Sequence, residues 1–271
     1  MNMNNALITF VQGDNYVESI DSEIFLTSIS KFKSFKKIVL TKDISEKNLV
    51  YLKKYFDEVV QVTNPILNGA RDRFMSYYLW INENINKYDY LMHVDFRDVI
   101  IQKDPFEFMM KQTEKDLFFC SEGMKEKDSN WNTQDLLYYH SFLQFHRDNF
   151  EDYYVLNGGT IGGKPFALSQ AFLMLWTNSN RISRSNTDQA TLNYLYPYFK
   201  SNPKIMVCHP LEDNFCATGE GIKWENVSVN FDGKLVCDAN NEPYYIYHQW
   251  DRTTMADAIR NNHKNTLSFV I

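Results

Sequence analysis

Cysteine, proline and glycine are scarce in this chain, and each shortage removes a class of protein. With 4 Cys, 7 Pro and 10 Gly in 271 residues, a disulfide scaffold, a proline-rich linker and a glycine-repeat fibre are all excluded. Cys120, Cys208, Cys216 and Cys237 form no CxxC pair and no zinc-type spacing, so they read as free or core thiols of a reducing compartment. No apolar run reaches the ~18 residues of a membrane-spanning helix. The opening MNMNNALITFVQGD has no basic stretch ahead of a long apolar one. The expectation is a cytoplasmic protein with no transmembrane segment.

Positive charge is also short. Lys and Arg number 28 against 34 Asp and Glu, a net charge of -6, and no basic block interrupts the chain. This argues against a nucleic-acid partner, and it means that an anionic small substrate needs a metal ion or a local cluster of donors. Two phosphate-binding signatures are missing as well: there is no GxxxxGK[ST] and no GxGxxG after the first strand.

What the chain does have is apolar bulk, 44% hydrophobic and 15% aromatic, enough for one large core. The run YLMHVDFRDVIIQKDPF, Tyr90 to Phe106, organises the rest. Tyr90, Leu91, Met92 and Val94 read as a buried strand whose tip carries Asp95 and Asp98 beside Arg97. Two carboxylates at a strand tip are costly unless a cation or ligand neutralises them. Open α/β sheets bind ligands at that end of their strands. The competing reading is a local salt bridge between Asp and Arg at the strand end, with Asp104-Pro105 starting the next helix.

Around this run strand and helix alternate. Ala6 to Gln12, Lys37 to Thr41 and Glu58 to Val62 read as strands. Helical periodicity follows from Val17 to Phe32, after a capping-box pattern at Asp43 and Glu46, and from Arg71 to Ile85. The pattern predicts parallel βαβ units. The second half is less regular. Asp116 to Ser121 reads as a strand, Glu122 to Thr133 as a mobile loop and Leu136 to Phe145 as helical. LNGGTIGGKPF is strand-like and glycine-rich, and a helix opening at Asn186 to Gln189 ends at Pro197. Asp232-Gly233 marks a hairpin, a strand ends near His248, and Thr254 with Asp257 caps a closing helix. We read one domain, residues 1–271, with an elaborated C-terminal half.

Asp95, Asp98, Asn157 with its glycines, Asp188 and His248 all fall at element ends. Carboxylates with one imidazole suit Mn²⁺ or Mg²⁺ and leave positions open for phosphate oxygens, so the set points to a nucleoside diphosphate. The glycine run has a second reading as a tight turn, and His248 one as an ordinary core histidine.

Taken in order, ALITFVQGDNY, RDRFMSYYLWI, DFRD, LNGGTIGGK, TDQATLNYL and YIYHQWDR resemble the metal-dependent, nucleotide-sugar glycosyltransferases of the GT-A fold, including the glycogenin-like and lipopolysaccharide galactosyltransferase-like families. The resemblance implies an α/β, Rossmann-like, mostly parallel central sheet flanked by helices, with a nucleotide-binding half over roughly 1–110 and an elaborated sugar- and acceptor-binding half over 111–271. Asp98 matches the second acid of the DxD motif. Phe96 stands where the first acid usually is, and Asp95 lies one residue earlier. Asp95, Asp98 and His248 are the implied metal ligands. Gln12, Gly13, Tyr16, Arg71 (or Arg73), Asp95, Asn157, Gly158 and Gly159 are the implied donor-binding residues. Asp188 and Gln189 match the pair that contacts the donor sugar.

The implied activity is hexosyl or related transfer to the hydroxyl of a glycan, glycolipid or protein. Asp188, Glu122 or the departing phosphate would take the proton. The alternative is a non-catalytic sugar-nucleotide or glycan binding module of the same fold. Trp131, Tyr138, Tyr139 and Trp250 are the exposed aromatics expected to line an acceptor cleft.

Overall fold

The alternation in the first half becomes four neighbouring parallel strands in the computed structural model, which describes residues 4–65, 69–136, 150–179, 188–210, 212–219, 228–230, 234–237, 242–253 and 255–267. The strands are β1 (Asn5–Gln12), β2 (Lys36–Lys42), β3 (Glu58–Gln61), β4 (Tyr90–Val94), β5 (Val99–Ile101), β6 (Leu117–Lys125), β7 (Tyr154–Gly163), β8 (Ile205–Cys208), β9 (Cys216–Thr218), β10 (Ser228–Asn230), β11 (Lys234–Cys237) and β12 (Ile246–His248). Seven of them form the central sheet in the order β3-β2-β1-β4-β7-β6-β8. Only β7 runs against the others.

The chain leaves β1 for β2 on one side and comes back to β4 on the other. That reversal opens a crevice at the carboxyl ends of β1 and β4, the place where such sheets take ligands. The apolar runs exist because both faces are covered. In β1, Leu7 and Val11 join one core layer while Ala6, Ile8 and Phe10 join the other. In β4, Met92 and Val94 face the first layer and Leu91 the second.

A second sheet, β5-β12-β9, sits beyond the tip of β4. β12 runs antiparallel to β5 with His248 opposite Val99, and parallel to β9 with His248 opposite Thr218. Its own small core holds Ile100, Ala217, Tyr247 and Trp250.

Several local expectations change. Ser45, not Asp43, caps the helix Glu46–Leu52, its side chain accepting from the Asn48 amide. Asp43 takes a left-handed backbone (φ 55°) and accepts a bond from Gln12 instead. The segment read as a mobile loop is ordered, because β6 continues to Lys125, a 3₁₀ turn covers Glu126–Asp128 and a helix spans Asn130–Leu136. Thr133 donates to the Glu126 carbonyl and closes that turn.

Pro197 begins a helix, Tyr196–Lys200, rather than ending one. The first turn tolerates a missing N–H. Trp250 is fully buried rather than exposed, packed in the second sheet's core where Arg260 lies over its ring at 5.4 Å. Glycine-rich β7 is a continuous buried strand, not a turn. The helix expected beyond Leu136, Tyr138, Tyr139, Asn186-Thr187, Asp232-Gly233 and the Thr254 cap lie outside the described residues. No described helix is long and apolar enough to cross a membrane.

Candidate active site

Three strand ends meet at the tip of β4. Asp95 and Asp98 follow β4 and precede β5, and the pairing of β5 with β12 sets His248 beside them. Ligand atoms of Asp95, Asp98 and His248 lie within 4.8 Å of one another. His248 Nε2 is 3.6 Å from Asp95 Oδ2 and 3.6 Å from Asp98 Oδ1, too far for a hydrogen bond. Among the described residues, both ring nitrogens of this buried imidazole lack a hydrogen-bond partner. Burial works against its charged form, but the Asp98 and Asp95 carboxylates outweigh it and raise its pKa to about 10. Two carboxylates around this imidazole are a donor set that fits a divalent cation, which would take the place of a ring proton.

The backbone is bent to make this corner. Arg97 (φ 97°) and Gln249 (φ 56°) sit at positive φ immediately beside Asp98 and His248, a conformation costing roughly 1–3 kcal/mol at a non-glycine residue. The Gln249 amide donates to the Asp98 carbonyl at 2.8 Å and ties the two turns together. Arg97 pairs with Asp251 at 3.2 Å and lies 5.9 Å over the Tyr16 ring.

Gly159 explains why β7 is rich in glycine at this point. Its carbonyl accepts from the Asp95 amide at 2.9 Å, so β7 runs directly against the acidic tip. A β-carbon here would fall 2.5 Å from Asp95 Oδ2 and collide with the His248 ring. At Gly158 the same carbon would meet nothing closer than Gln189 at 3.8 Å.

Arg73, on the helix Gly69–Glu83, binds two carboxylates from distant parts of the chain. It donates to Asp95 Oδ1 at 2.5 Å and to Asp188 Oδ2 at 3.0 Å. Burial alone would raise the Asp95 carboxyl, but Arg73 and then His248 hold it well below the usual carboxylate range. Burial dominates at Asp188 and leaves its pKa raised despite Arg73. Beneath the pair, His93 of β4 is buried against Tyr77 at 4.7 Å, its Nε2 3.3 Å from the Gly158 carbonyl. Burial and Arg73 push its pKa down to about 3, so it is neutral.

These groups open onto one cleft of about 810 Å³. Of the residues expected from sequence, Gln12, Tyr16, Asp95, Asp98, Gly158, Gly159, Asp188, Gln189 and His248 line it. Gly13, Arg71 and Asn157 do not. Gly13 turns the chain at φ 85° behind the wall. Arg71 is turned to Asp72 at 3.0 Å, and Arg73 occupies the cleft. Asn157 is wholly buried, donating to Glu122 and accepting from the Gly159 amide. On the same helix, three and four positions separate the cleft-lining Gly69, Ala70 and Arg73, and Arg71 falls off that face.

Sequence reading missed His93, Asn132 and the wall residues Gln249 and Arg252. A histidine inside an otherwise apolar strand was the available signal for the first. Phe96, at the usual first-acid position, packs edge-on to Phe25 at 5.3 Å, partly buried against the core, and lines the cleft.

No sequence-family profile matches the chain, and no curated protein matches it in sequence. Comparison of folds pairs it with a crystal structure of an active-site mutant of LgtC. The TM-score is 0.60 at 14% identity, over 96% of this chain and 95% of that one. The chain therefore shares its fold with that structure, a GT-A-type α/β architecture in which a mostly parallel seven-stranded sheet is flanked by helices.

Proposed function

We propose that this protein is a metal-dependent glycosyltransferase that moves a sugar from a nucleoside-diphosphate sugar to an acceptor hydroxyl. The observation that carries the reading is the convergence of Asp95, Asp98 and His248, whose ring nitrogens have no hydrogen-bond partner among the described residues, at the crevice of a GT-A-type sheet. They face the Asp188–Gln189 pair across one cleft. Asp95, Asp98 and His248 would hold Mn²⁺ or Mg²⁺, with Asp95 giving one oxygen to the ion and the other to Arg73. Neutralising the diphosphate as it departs is the chemistry such an ion supplies when bound.

The rest falls to the chain itself. Gln12 and the half-exposed Tyr16 ring form the wall suited to a nucleoside base, which a planar aromatic accepts by stacking. Arg73 fixes Asp188, and Asp188 with Gln189 orients the sugar and stabilises positive charge growing at the anomeric carbon. Trp131, 48% exposed on the cleft wall, offers an acceptor sugar an apolar face. The acceptor oxygen bonds to the anomeric carbon, the bond from that carbon to the phosphate oxygen breaks, and the hydroxyl proton passes to Asp188 or to the departing phosphate.

The test is nucleoside diphosphate release from a panel of sugar nucleotides with Mn²⁺, Mg²⁺ or chelator, for the native chain and for Asp98→Ala. Metal-dependent release from one donor, lost in the variant, is expected. Metal-dependent donor binding without release, even with acceptor glycans present, would favour the binding-module alternative, and neither binding nor release would overturn both.

A further inference from the structure

Glu122 of β6 is buried to 1% exposure at the back of the cleft. One of its oxygens, Oε1, accepts from Asn157 Nδ2 at 3.1 Å and from Gln189 Nε2 at 2.9 Å. Asn157 Oδ1 accepts from the Gly159 backbone N–H, which leaves its nitrogen to face Glu122 and removes the usual ambiguity of an amide side chain, and Gln189 places its own nitrogen on the same carboxyl oxygen. Gln189 Nε2 also donates to Asn132 Oδ1 at 3.0 Å, and Asn132 is in turn held by donating to Ser129 at 2.8 Å. Both N–H groups of Gln189 are thereby taken, and what it has left to offer the cleft is its carbonyl oxygen.

The other arm leads to the cation corner. With its nitrogen turned to Glu122, Asn157 presents Oδ1 to the Gly159 amide at 2.8 Å and to the Thr160 hydroxyl at 3.3 Å. Gly159 is the residue that accepts from the Asp95 amide. The Glu122 backbone is pinned from a third side, its carbonyl accepting from Thr218 at 3.4 Å.

We infer that Glu122 is a positioning residue, a shared acceptor that turns the Gln189 carbonyl oxygen toward the reacting centre and locks Asn157 behind Gly159, and not the base that deprotonates the acceptor. The inference rests on the transferase reading for its catalytic consequence. Its geometric core, the fixed Gln189 amide, is measurable without any donor.

The two roles make opposite demands on Glu122→Gln. A glutamine keeps an acceptor oxygen for both amides but cannot take a proton, whereas Glu122→Met keeps the length and loses both. Positioning predicts that E122M lowers kcat about 100-fold with donor KM changed less than about threefold, as expected for a displaced reacting group. E122Q should retain most of the activity and the native pH profile. The double variant E122M with Gln189→Met should be no slower than Gln189→Met alone, because the pair acts as a unit. Equal loss in E122Q and E122M, full activity in E122M, or additive losses would each overturn the inference.

A readout independent of turnover is hydrogen exchange of glutamine side-chain amides by ¹⁵N NMR, with the Gln189 signal assigned through Gln189→Met. Protection of that signal should persist in E122Q and fall at least about tenfold in E122M. Unchanged protection in E122M would overturn the inference even if no donor were turned over. Release of no nucleoside diphosphate by the native chain would count against the transferase reading alone. Should E122M not fold, Asn132→Ala removes the other acceptor of Gln189 and is expected to lower protection and kcat in the same direction, and native-like values would overturn the inference.

Discussion

Gly159 and His248, on strands of two different sheets, approach so closely that the first has no room for a β-carbon. The contact makes the glycine a gauge of the cation corner. Gly159→Ala must displace His248, Asp95 or β7 itself, whereas Gly158→Ala meets only ordinary contacts. We expect the Gly159 variant to lose metal-dependent thermal stabilisation and the Gly158 variant to keep it. Equal shifts in the two, followed by differential scanning fluorimetry with and without Mn²⁺, would break the link between β7 and the metal.

Metal removal should be visible in the native protein. A ligand present at about 100 times its Kd stabilises the state it binds by about 2.7 kcal/mol, several degrees in Tm for a chain of this size. Mn²⁺ should therefore raise Tm and EDTA reverse it, and Asp98→Ala or His248→Ala should abolish the response. A response that survives in both variants would place the ion elsewhere.

Arg73 is the counter-charge for Asp95 and Asp188. Removing one partner of a buried ion pair costs about 3–5 kcal/mol, because a charge is left behind. Arg73→Ala should lose about 3 kcal/mol in urea denaturation with chelator present, the lower end because Asp95 is partly exposed. Arg73→Lys should recover little, since one ammonium cannot reproduce the two-pronged geometry. Added Mn²⁺ should restore part of the loss by covering Asp95. A cost below about 0.5 kcal/mol would mean that the bridge carries no structural weight.

Glu126 gives the protein an unusual pH dependence. Its carboxyl oxygens are buried without a hydrogen-bond partner among the described residues. Burial first and the neighbouring Glu122 second raise its pKa to about 8 from an ordinary 4.5. Between those values the unfolded chain ionises Glu126 while the folded chain keeps its proton, so stability falls as pH rises, by at most about 1.4 kcal/mol per pH unit. Glu126→Gln removes that dependence. Its advantage over the native chain in urea denaturation should be small at pH 5 and largest near pH 8.5. A pH-independent difference would contradict the buried, protonated carboxyl.

Much of the site was legible because it lies where local patterns end. The apolar runs of β1 and β4 stop at Gln12 and at Asp95, and a run that must be buried on both faces cannot carry carboxylates without a reason. Gly159 was legible as a place of close approach, whereas Gly158 beside it has ordinary room. Arg71 and Arg73 are not separable in the sequence, since both sit on one helical turn and only the packing of that helix on β4 and on the helix Pro165–Ser179 decides which faces the cleft. Trp250 was misread for a related reason. Its neighbours His248, Asp251 and Arg252 are polar, and the core that buries it is assembled from β5, β9 and the helix Ala256–Leu267.

The sequence by itself determined the elements of the first half, their parallel winding and the acidic strand tip, because periodicity and turn chemistry act over a few residues. Tertiary structure alone decided the partners. Arg73 meets Asp188 across 115 positions, Glu122 meets Gln189 across 67, and His248 reaches Asp98 only because β12 pairs with β5 in one register. Such contacts follow from strand order and register, which arise from burying two faces of one sheet at once and leave no local trace in the residues that make them.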